Sequence, residues 1–209
     1  MDPSILTQSL KLIEQVYDES MYGDDDLYRI KDIVHSVDSK QWTSKQWLVD
    51  TLNSLDLSLD PGIFIAGGWY GLMAYLLRKQ YAKTPIVSAD MDKKAKLFGK
   101  KLFAGSSIEF VATDVTQNLY GYIQYGLVVS TSCEHIDRDD LCDFISKKNP
   151  NAVIALQSND YFELPSHINC SATLDEFVSY VKPCLHNGEV LFQGALNLGD
   201  FNRFMVIGR

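Results

Sequence analysis

Five short apolar runs, separated by segments with helical spacing, constrain the fold of this chain more than any other feature. Each run is too apolar for a strand with one face in solvent, so each predicts a strand buried on both faces. The alternation of strands and helices predicts an α/β fold with a parallel sheet and right-handed crossovers. The predicted strands are residues 63–66, 85–89, 108–112, 126–131 and 152–157, and the predicted helices between them are 70–81, 92–103 and 138–148.

The C-terminal end departs from this alternation. Thr173 and Glu176 form a capping-box pattern at the start of a helix that we expect to run to about residue 185. Two strands follow, at residues 189–196 and 203–207, and the joint between them is shorter than the dozen or so residues of a parallel crossover. The last pair is therefore predicted to be antiparallel. The complete pattern predicts a Rossmann-like three-layer sandwich, with a mostly parallel seven-stranded sheet and an antiparallel last strand.

The N-terminal part of the chain has helical spacing. Apolar stripes predict one helix over residues 3–22 and a second over residues 27–37. A third helix is expected to start at Thr43, because Thr43 and Gln46 form another capping-box pattern. We expect these helices to form an N-terminal cap.

Length and charge limit the domain count and the partners. At 209 residues the chain can bury one substantial core, so we expect a helical cap of residues 1–60 and a Rossmann-like domain of residues 61–209 in one compact unit. The net charge of −8 disfavours nucleic acid and anionic membranes. No apolar stretch suits a signal peptide or a membrane span, which indicates a cytoplasmic protein. An oligomer is compatible with the 11% aromatic content.

The four cysteines lack the paired spacing of a CxxC motif. Without an export signal, free thiols in a reducing cytosol are expected for Cys133, Cys142, Cys170 and Cys184. Three histidines lie near cysteines in the sequence, but the spacing of paired zinc ligands is missing. The sequence therefore predicts no metal site.

A glycine-rich turn follows the first predicted strand and opens a helix. Gly67, Gly68 and Gly71 allow a sharp turn and a close approach to a ligand, and a helix start supplies unpaired amide groups. Asp90 ends the next strand 23 positions after Gly67, near the spacing at which such folds hold a ribose. A turn that binds no ligand is the alternative interpretation of the glycines, and a helix cap is the alternative for an acidic residue.

Polar residues also end the later strands. Ligands in open α/β sheets bind outside the carboxyl ends of the strands, so these side chains are expected to border one crevice. The residues in question are Asp114, Ser132, Glu134, His135, Gln157 and Asn159.

From its first strand to the C-terminus, the chain resembles the class I S-adenosylmethionine-dependent methyltransferase family. Residues 67–71 resemble the family's first motif and residues 87–92 the second, whose acid binds the ribose hydroxyls. Asp114 and Val115 match the adenine-contacting third motif, and residues 128–135 occupy the fourth, next to the methyl group. The resemblance implies S-adenosylmethionine as cofactor, bound by Gly67, Gly68, Trp69, Gly71, Asp90, Met91, Asp114, Val115 and Ser132.

Methyl transfer requires a nucleophile held in line with the sulfonium carbon, and a base only if the acceptor must lose a proton. Glu134 and His135 are the candidates for base or acceptor positioning. The alternative is that Glu134 caps the next helix and His135 packs beneath it. Gln157 and Asn159 are expected to orient a polar acceptor, although these amides could instead satisfy only loop backbone. The net charge favours a small molecule, or a protein partner that tolerates an acidic surface, as the acceptor.

Two other functions stay open from the sequence. The first is a nucleotide-binding oxidoreductase of the NAD type, against which the closing antiparallel pair argues. The second is a catalytically silent binding or scaffold module descended from the family. It is motivated by Ile65, where the family usually has an acid, and by Trp69, where it has its middle glycine.

Overall fold

The computed structural model describes residues 5, 7–13, 24–117 and 122–209. Within these ranges the chain forms a seven-stranded sheet flanked by helices. The strands are β1 (Ile63–Ala66), β2 (Ile86–Asp90), β3 (Glu109–Ala112), β4 (Leu127–Ser130), β5 (Val153–Asn159), β6 (Val190–Asn197) and β7 (Asn202–Gly208). The helices are α1 (Asp24–Ser36), α2 (Ser39–Ser54), α3 (Leu72–Gln80), α4 (Lys93–Leu102), α5 (Arg138–Ser146) and α6 (Leu174–Val181), with 3₁₀ turns at Cys133–His135 and Lys182–Cys184.

The sheet has the order β3-β2-β1-β4-β5-β7-β6. The first five strands pair in parallel, while β7 is antiparallel to both β5 and β6. Six strands therefore point one way and only β7 is reversed. The predicted mostly parallel seven-stranded sheet with an antiparallel last strand is confirmed.

The strands bury both faces, as their continuous apolar character requires. In β1, Phe64 and Ala66 face a core cluster that includes side chains of α5 and α6, while Ile63 and Ile65 face a second cluster with α2 and α3. Side chains alternate across a strand, so each strand contributes to two layers of packing. The predicted three-layer architecture is confirmed.

The N-terminal helices agree only in part with the sequence analysis. Residues 7–13 are helical, whereas most of the predicted helix 3–22 lies outside the described residues. The prediction that the next helix starts at Thr43 is wrong, because α2 begins at Ser39 and Asp38 caps it, accepting a hydrogen bond from the Gln41 amide at 2.8 Å. An aspartate at an N-cap accepts a hydrogen bond from an otherwise unpaired amide of the first turn. Asp38 therefore starts the helix about one turn before the predicted start at Thr43.

The helix α2 is part of the main core. Leu48, Val49 and Leu52 are buried against residues of the sheet and of α3. A cap of residues 1–60 as a distinct unit therefore stays a prediction, while the contacts of α2 agree with the expected single compact body. The predicted cap at Thr173 is confirmed, since Thr173 accepts a hydrogen bond from an amide of the helix it precedes, and Asp92 caps α4 in the same way.

The prediction of four free thiols is wrong for two cysteines. Cys142 on α5 and Cys184, in the 3₁₀ turn after α6, form a disulfide with their Cα atoms 5.2 Å apart. The pairing joins segments 42 positions apart, and only the tertiary fold brings them together. Cys133 and Cys170 are free and buried. Among the described helices, none has both the length and the apolar character needed to cross a membrane.

Candidate functional site

The glycine-rich loop lies between β1 and α3 and crosses the ends of the neighbouring strands. Gly67 and Gly71 have positive φ angles of 63° and 94°, which glycine adopts without strain. A Cβ atom on Gly67 would lie 2.3 Å from Ser132 Oγ, and one on Gly68 would lie 2.1 Å from Ser88 Oγ. A side chain at either position would therefore have to displace a serine hydroxyl, Ser132 after β4 or Ser88 on β2, in addition to any demand from a ligand.

Asp90 at the end of β2 holds this loop in place. Its Oδ2 accepts a hydrogen bond from the Trp69 amide at 2.8 Å, and its Oδ1 accepts one from the Asp92 amide at 2.9 Å. Burial raises the pKa of the Asp90 carboxyl, and the two amide hydrogen bonds act in the opposite direction. Trp69 has a φ of 49°, a left-handed conformation that is unfavourable for a bulky residue. The bond to Asp90 compensates for this strain.

Helix α1 covers the outer side of the loop. Asp32 Oδ2 accepts hydrogen bonds from Tyr70 Oη at 2.6 Å and from Trp69 Nε1 at 3.2 Å. Arg29 forms an ion pair with Asp92, the residue that caps α4. The sequence analysis did not single out Arg29 or Asp32, because nothing in their helical spacing indicates which loop they contact.

The residues that match the second and third motifs have different surroundings. Met91 is 73% exposed next to Asp90 and presents an apolar surface to solvent. Asp114 Oδ1 accepts hydrogen bonds from the amide and hydroxyl of Thr116, at 2.9 and 2.7 Å. Val115 is buried in a core cluster. Of these three, only Met91 has a side chain fully available to a ligand.

Glu134 follows β4 and is 3% exposed. Its Oε1 accepts hydrogen bonds from Asn159 Nδ2 at 2.7 Å and from Arg203 Nη1 at 2.9 Å, the latter within a buried ion pair. The alternative that Glu134 caps the next helix is wrong, because Asp137 caps α5 and accepts a hydrogen bond from the Asp139 amide. The fold thus brings together the ends of β4, β5 and β7.

A second polar contact extends this region to α2. Gln157 is fully buried on β5, and its Nε2 donates to Ser44 O at 2.9 Å. Lys45, the next residue of α2, interacts electrostatically with both Arg203 and Glu134. We call Lys45, Glu134, Gln157, Asn159 and Arg203 the buried polar cluster.

Three atoms of the buried polar cluster have no hydrogen-bond partner within the described part of the chain: Glu134 Oε2, Gln157 Oε1 and Arg203 Nε. Buried polar groups are normally paired, so unpaired ones at a single corner of a fold require an explanation. An anion, a polar ligand or an ion bound there would supply the missing contacts. Sequence reasoning found Glu134, Gln157 and Asn159 at strand ends but missed Lys45 and Arg203, which come from opposite ends of the chain.

His135 lies at the exposed side of this corner. Its Nδ1 donates to Ser166 O at 3.0 Å, and its ring packs edge-on against His167 with centroids 4.7 Å apart. His167 belongs to the irregular segment between β5 and α6, which also binds the main chain near Glu134 through the Asn169 amide. This segment therefore forms a wall beside Glu134 and His135.

Cys133 offers little as a nucleophile. It is fully buried, and burial raises the pKa of its thiol to about 12. Cys170, for the same principal reason, has its pKa raised to about 11. A thiolate is the reactive form, so both residues are unreactive near neutral pH.

Comparison with solved structures relates this arrangement to known proteins. A TehB-like SAM-dependent methyltransferase from Corynebacterium glutamicum is 13% identical, with a TM-score of 0.56 over 88% of this chain and 96% of that one. Magnesium protoporphyrin IX methyltransferase from Synechocystis is 16% identical, with a TM-score of 0.58 over 99% and 96%. The plantazolicin methyltransferase BpumL is 12% identical, with a TM-score of 0.58 over the whole of both chains.

The chain has the class I methyltransferase fold. No model of a known protein family matches the sequence, and no curated protein matches it. Within this fold the glycine loop, Asp90 and the polar corner after β4 all lie at the carboxyl edge of the parallel strands, where open α/β sheets bind ligands. The class I methyltransferase fold thus places most of the predicted site residues along one edge, with Val115 in the core.

Proposed function

We propose that this protein is a methyltransferase that uses S-adenosylmethionine and acts on a small-molecule acceptor. The observation that carries the proposal is a hydrogen bond between two strand ends. The Trp69 amide in the glycine loop after β1 donates to the Asp90 carboxylate at the end of β2. The glycine loop follows β1, beside the topological switch point of the sheet, which lies between β1 and β4 in a sheet with the class I methyltransferase order. The structural neighbours named above are methyltransferases, which supports the same activity.

The residues present fit an adenosyl cofactor at this edge. The Asp90 carboxylate has lone pairs beyond those used by the two amides and is partly accessible, so it suits ribose hydroxyls. Exposed Met91 suits an adenine ring, and we propose that Gly67, Gly68, Trp69 and Gly71 hold the methionine end. We also include Asp114, Val115 and Ser132 in the proposed site, because they follow strands at the same edge of the sheet. Val115 would contact the cofactor through its main chain, since its side chain is buried.

A bound sulfonium cofactor supplies an electrophilic methyl group. The protein's own task is then to hold the acceptor in line and to manage any proton that it loses. We propose that Glu134 and His135 position the acceptor, with Asn159 and Gln157 behind them. Because Glu134 is held by Arg203 and Asn159 through one oxygen, its second oxygen is the one available for such contacts.

Binding is the first test. In calorimetric titrations of the purified protein we expect S-adenosylmethionine and S-adenosylhomocysteine to bind and NAD to give no signal. The reversed β7 is the observation that favours this result over an oxidoreductase. Binding of NAD alone would overturn the proposal, and binding of the adenosyl ligands without turnover on any acceptor would favour the silent module.

Asp90→Ala tests the site itself. The variant loses a buried polar partner, so affinity for S-adenosylhomocysteine should fall by about 1 to 3 kcal/mol, which is roughly 5- to 150-fold. Asp50→Ala is the matched control, because Asp50 is an exposed aspartate on α2 whose side chain accepts a hydrogen bond from Gln46, four residues earlier. Equal affinity in the two variants would remove Asp90 from the site.

The proposal also covers the path by which the acceptor enters the site and the location of the protein in the cell. A cleft beside the irregular segment is lined by Asp160, Tyr161, Phe162, Glu163 and Asp200, and we propose that the acceptor enters there. Its aromatic and acidic lining suits a small organic molecule better than a phosphate backbone, in agreement with the net charge of −8. A cytoplasmic location stays a prediction, and the Cys142–Cys184 disulfide counts against it, because such bonds are rare in a reducing cytosol.

A further inference from the structure

Three side chains that can bind a metal converge beside the buried polar cluster. Glu134, His135 and His167 each offer one ligand atom, and these three atoms lie within 4.8 Å of one another. The first two follow β4, whereas His167 comes from the segment after β5, so the fold rather than sequence proximity joins them. The chain has only four histidines, which makes the meeting of two of them at one carboxylate notable.

Glu134 supplies an independent sign of a missing partner. Its Oε1 is bonded to Asn159 and Arg203, but its buried Oε2 has no partner among the described residues. Burial of an unpaired carboxylate oxygen is costly, so native proteins pair such groups or use them to coordinate ions. A cation between Glu134 and the two imidazoles would satisfy this oxygen.

The histidines are oriented as metal ligands usually are. Nδ1 of His135 donates to Ser166 O at 3.0 Å, and Nδ1 of His167 donates to Tyr161 O at 2.7 Å. A carbonyl acceptor requires a proton on Nδ1, which leaves Nε2 with its lone pair free in a neutral ring. Metal-bound histidines almost always donate their other ring N–H in this way, to a carbonyl or a carboxylate.

We propose that Glu134, His135 and His167 bind a Zn²⁺ ion whose fourth position is open to the acceptor. Two imidazoles and one carboxylate, with a remaining open position, are a common ligand set of catalytic zinc. Ligand spacing in the sequence does not indicate this site, because His167 reaches it only through the path of its loop.

The role of the ion rests on the proposed function. An acceptor hydroxyl or thiol bound to Zn²⁺ has a lowered pKa and releases its proton to water. The resulting anion would form a bond to the methyl carbon while the carbon–sulfur bond of the sulfonium breaks, with the electron pair staying on sulfur. Glu134 and His135 then position the acceptor through the ion.

The test is a titration of the metal-free full chain with Zn²⁺ alone, followed by metal analysis of dialysed protein. We expect one ion per chain, and no comparable binding of Mg²⁺. In His135→Asn and His167→Asn, which keep a donor near the Nδ1 position, Zn²⁺ affinity should fall at least about 100-fold, since even outer partners contribute about 10- to 100-fold. His35→Gln, at an exposed histidine on α1, should bind like the parent protein.

Zn²⁺ binding that is absent from the parent protein, or equal in all variants, would overturn the assignment. Thermal unfolding of each variant checks that a lost ion does not simply report a lost fold. S-adenosylhomocysteine is titrated into the same metal-free samples. If the protein binds Zn²⁺ but not S-adenosylhomocysteine, the metal site is upheld and the proposed function is contradicted. If it binds S-adenosylhomocysteine but not Zn²⁺, the proposed function is supported and the metal site is overturned.

Discussion

Lys45 makes the stability of this protein depend on pH in a way that can be worked out. The side chain is 7% exposed on α2, and its Nζ donates to Gln41 Oε1. Burial lowers the pKa of the Lys45 ammonium to about 7, and the charge of Arg203 acts in the same direction. Attraction to Glu134 and Asp38 opposes this effect only in part.

The sign of the effect follows from proton binding. The unfolded chain keeps the proton on Lys45 up to its ordinary pKa of 10.5, whereas the folded chain releases it near 7. Below pH 7 the buried charge of Lys45 therefore lowers the free energy of unfolding by its full amount. This destabilisation decreases as the pH rises from 7 to 10.5. At about 1.4 kcal/mol for each pH unit, the full effect is at most about 5 kcal/mol, and it should be smaller by about 3 kcal/mol at pH 9 than at pH 6.

Lys45→Met removes the charge and keeps a long side chain. We expect the variant to have a higher free energy of unfolding than the parent at pH 6. The gain at pH 9 should be smaller than the gain at pH 6 by about 3 kcal/mol. Urea denaturation followed by circular dichroism at both pH values measures this difference. Lys147→Met, at a more exposed lysine that forms the C-cap of α5, should change the free energy of unfolding by less than about 0.5 kcal/mol. A gain from Lys45→Met that does not change with pH would refute the reasoning.

Two further predictions concern the fold. Reduction of the Cys142–Cys184 disulfide should lower the free energy of unfolding by up to about 4 kcal/mol, from the chain entropy of a 42-residue separation, and the double Ala variant should not respond to dithiothreitol in urea denaturation. Gly71→Ala should lower the free energy of unfolding by about 1 to 3 kcal/mol more than Gly105→Ala. Both glycines have a positive φ, but only at Gly71 would a Cβ meet Phe110, at 2.5 Å. Equal losses in thermal or urea unfolding would contradict this packing argument.

Local signals were sufficient for the architecture of the sheet. The buried strands are continuous apolar runs, and the short joint between β6 and β7 could only be antiparallel, so the strand directions followed from chain geometry. The order of the strands in the sheet was not part of the prediction. The start of α2 was predicted at the wrong residue. Asp38 and Thr43 both precede helical spacing, and only the hydrogen bond from the Gln41 amide decides between them.

The candidate site was predictable only where its residues follow strands directly. Asp90, Glu134 and Asn159 could be found in this way, because the carboxyl ends of parallel strands meet at one edge. Arg203 and His167 could not be assigned to the site, since Arg203 lies 69 positions from Glu134 and each reaches it through long-range folding. Pairings of this kind, like the disulfide, leave no trace in local spacing.

The contacts of α1 with the glycine loop make ligand binding and the N-terminal segment thermodynamically linked. Asp32 is bonded to both Trp69 and Tyr70, so the loop conformation that Asp90 maintains is also the one on which α1 docks. A ligand that binds this conformation stabilises every contact that depends on it. Occupancy of the loop should therefore slow proteolytic cleavage within α1, so that protease sensitivity of the N-terminal segment reports what the sheet edge has bound.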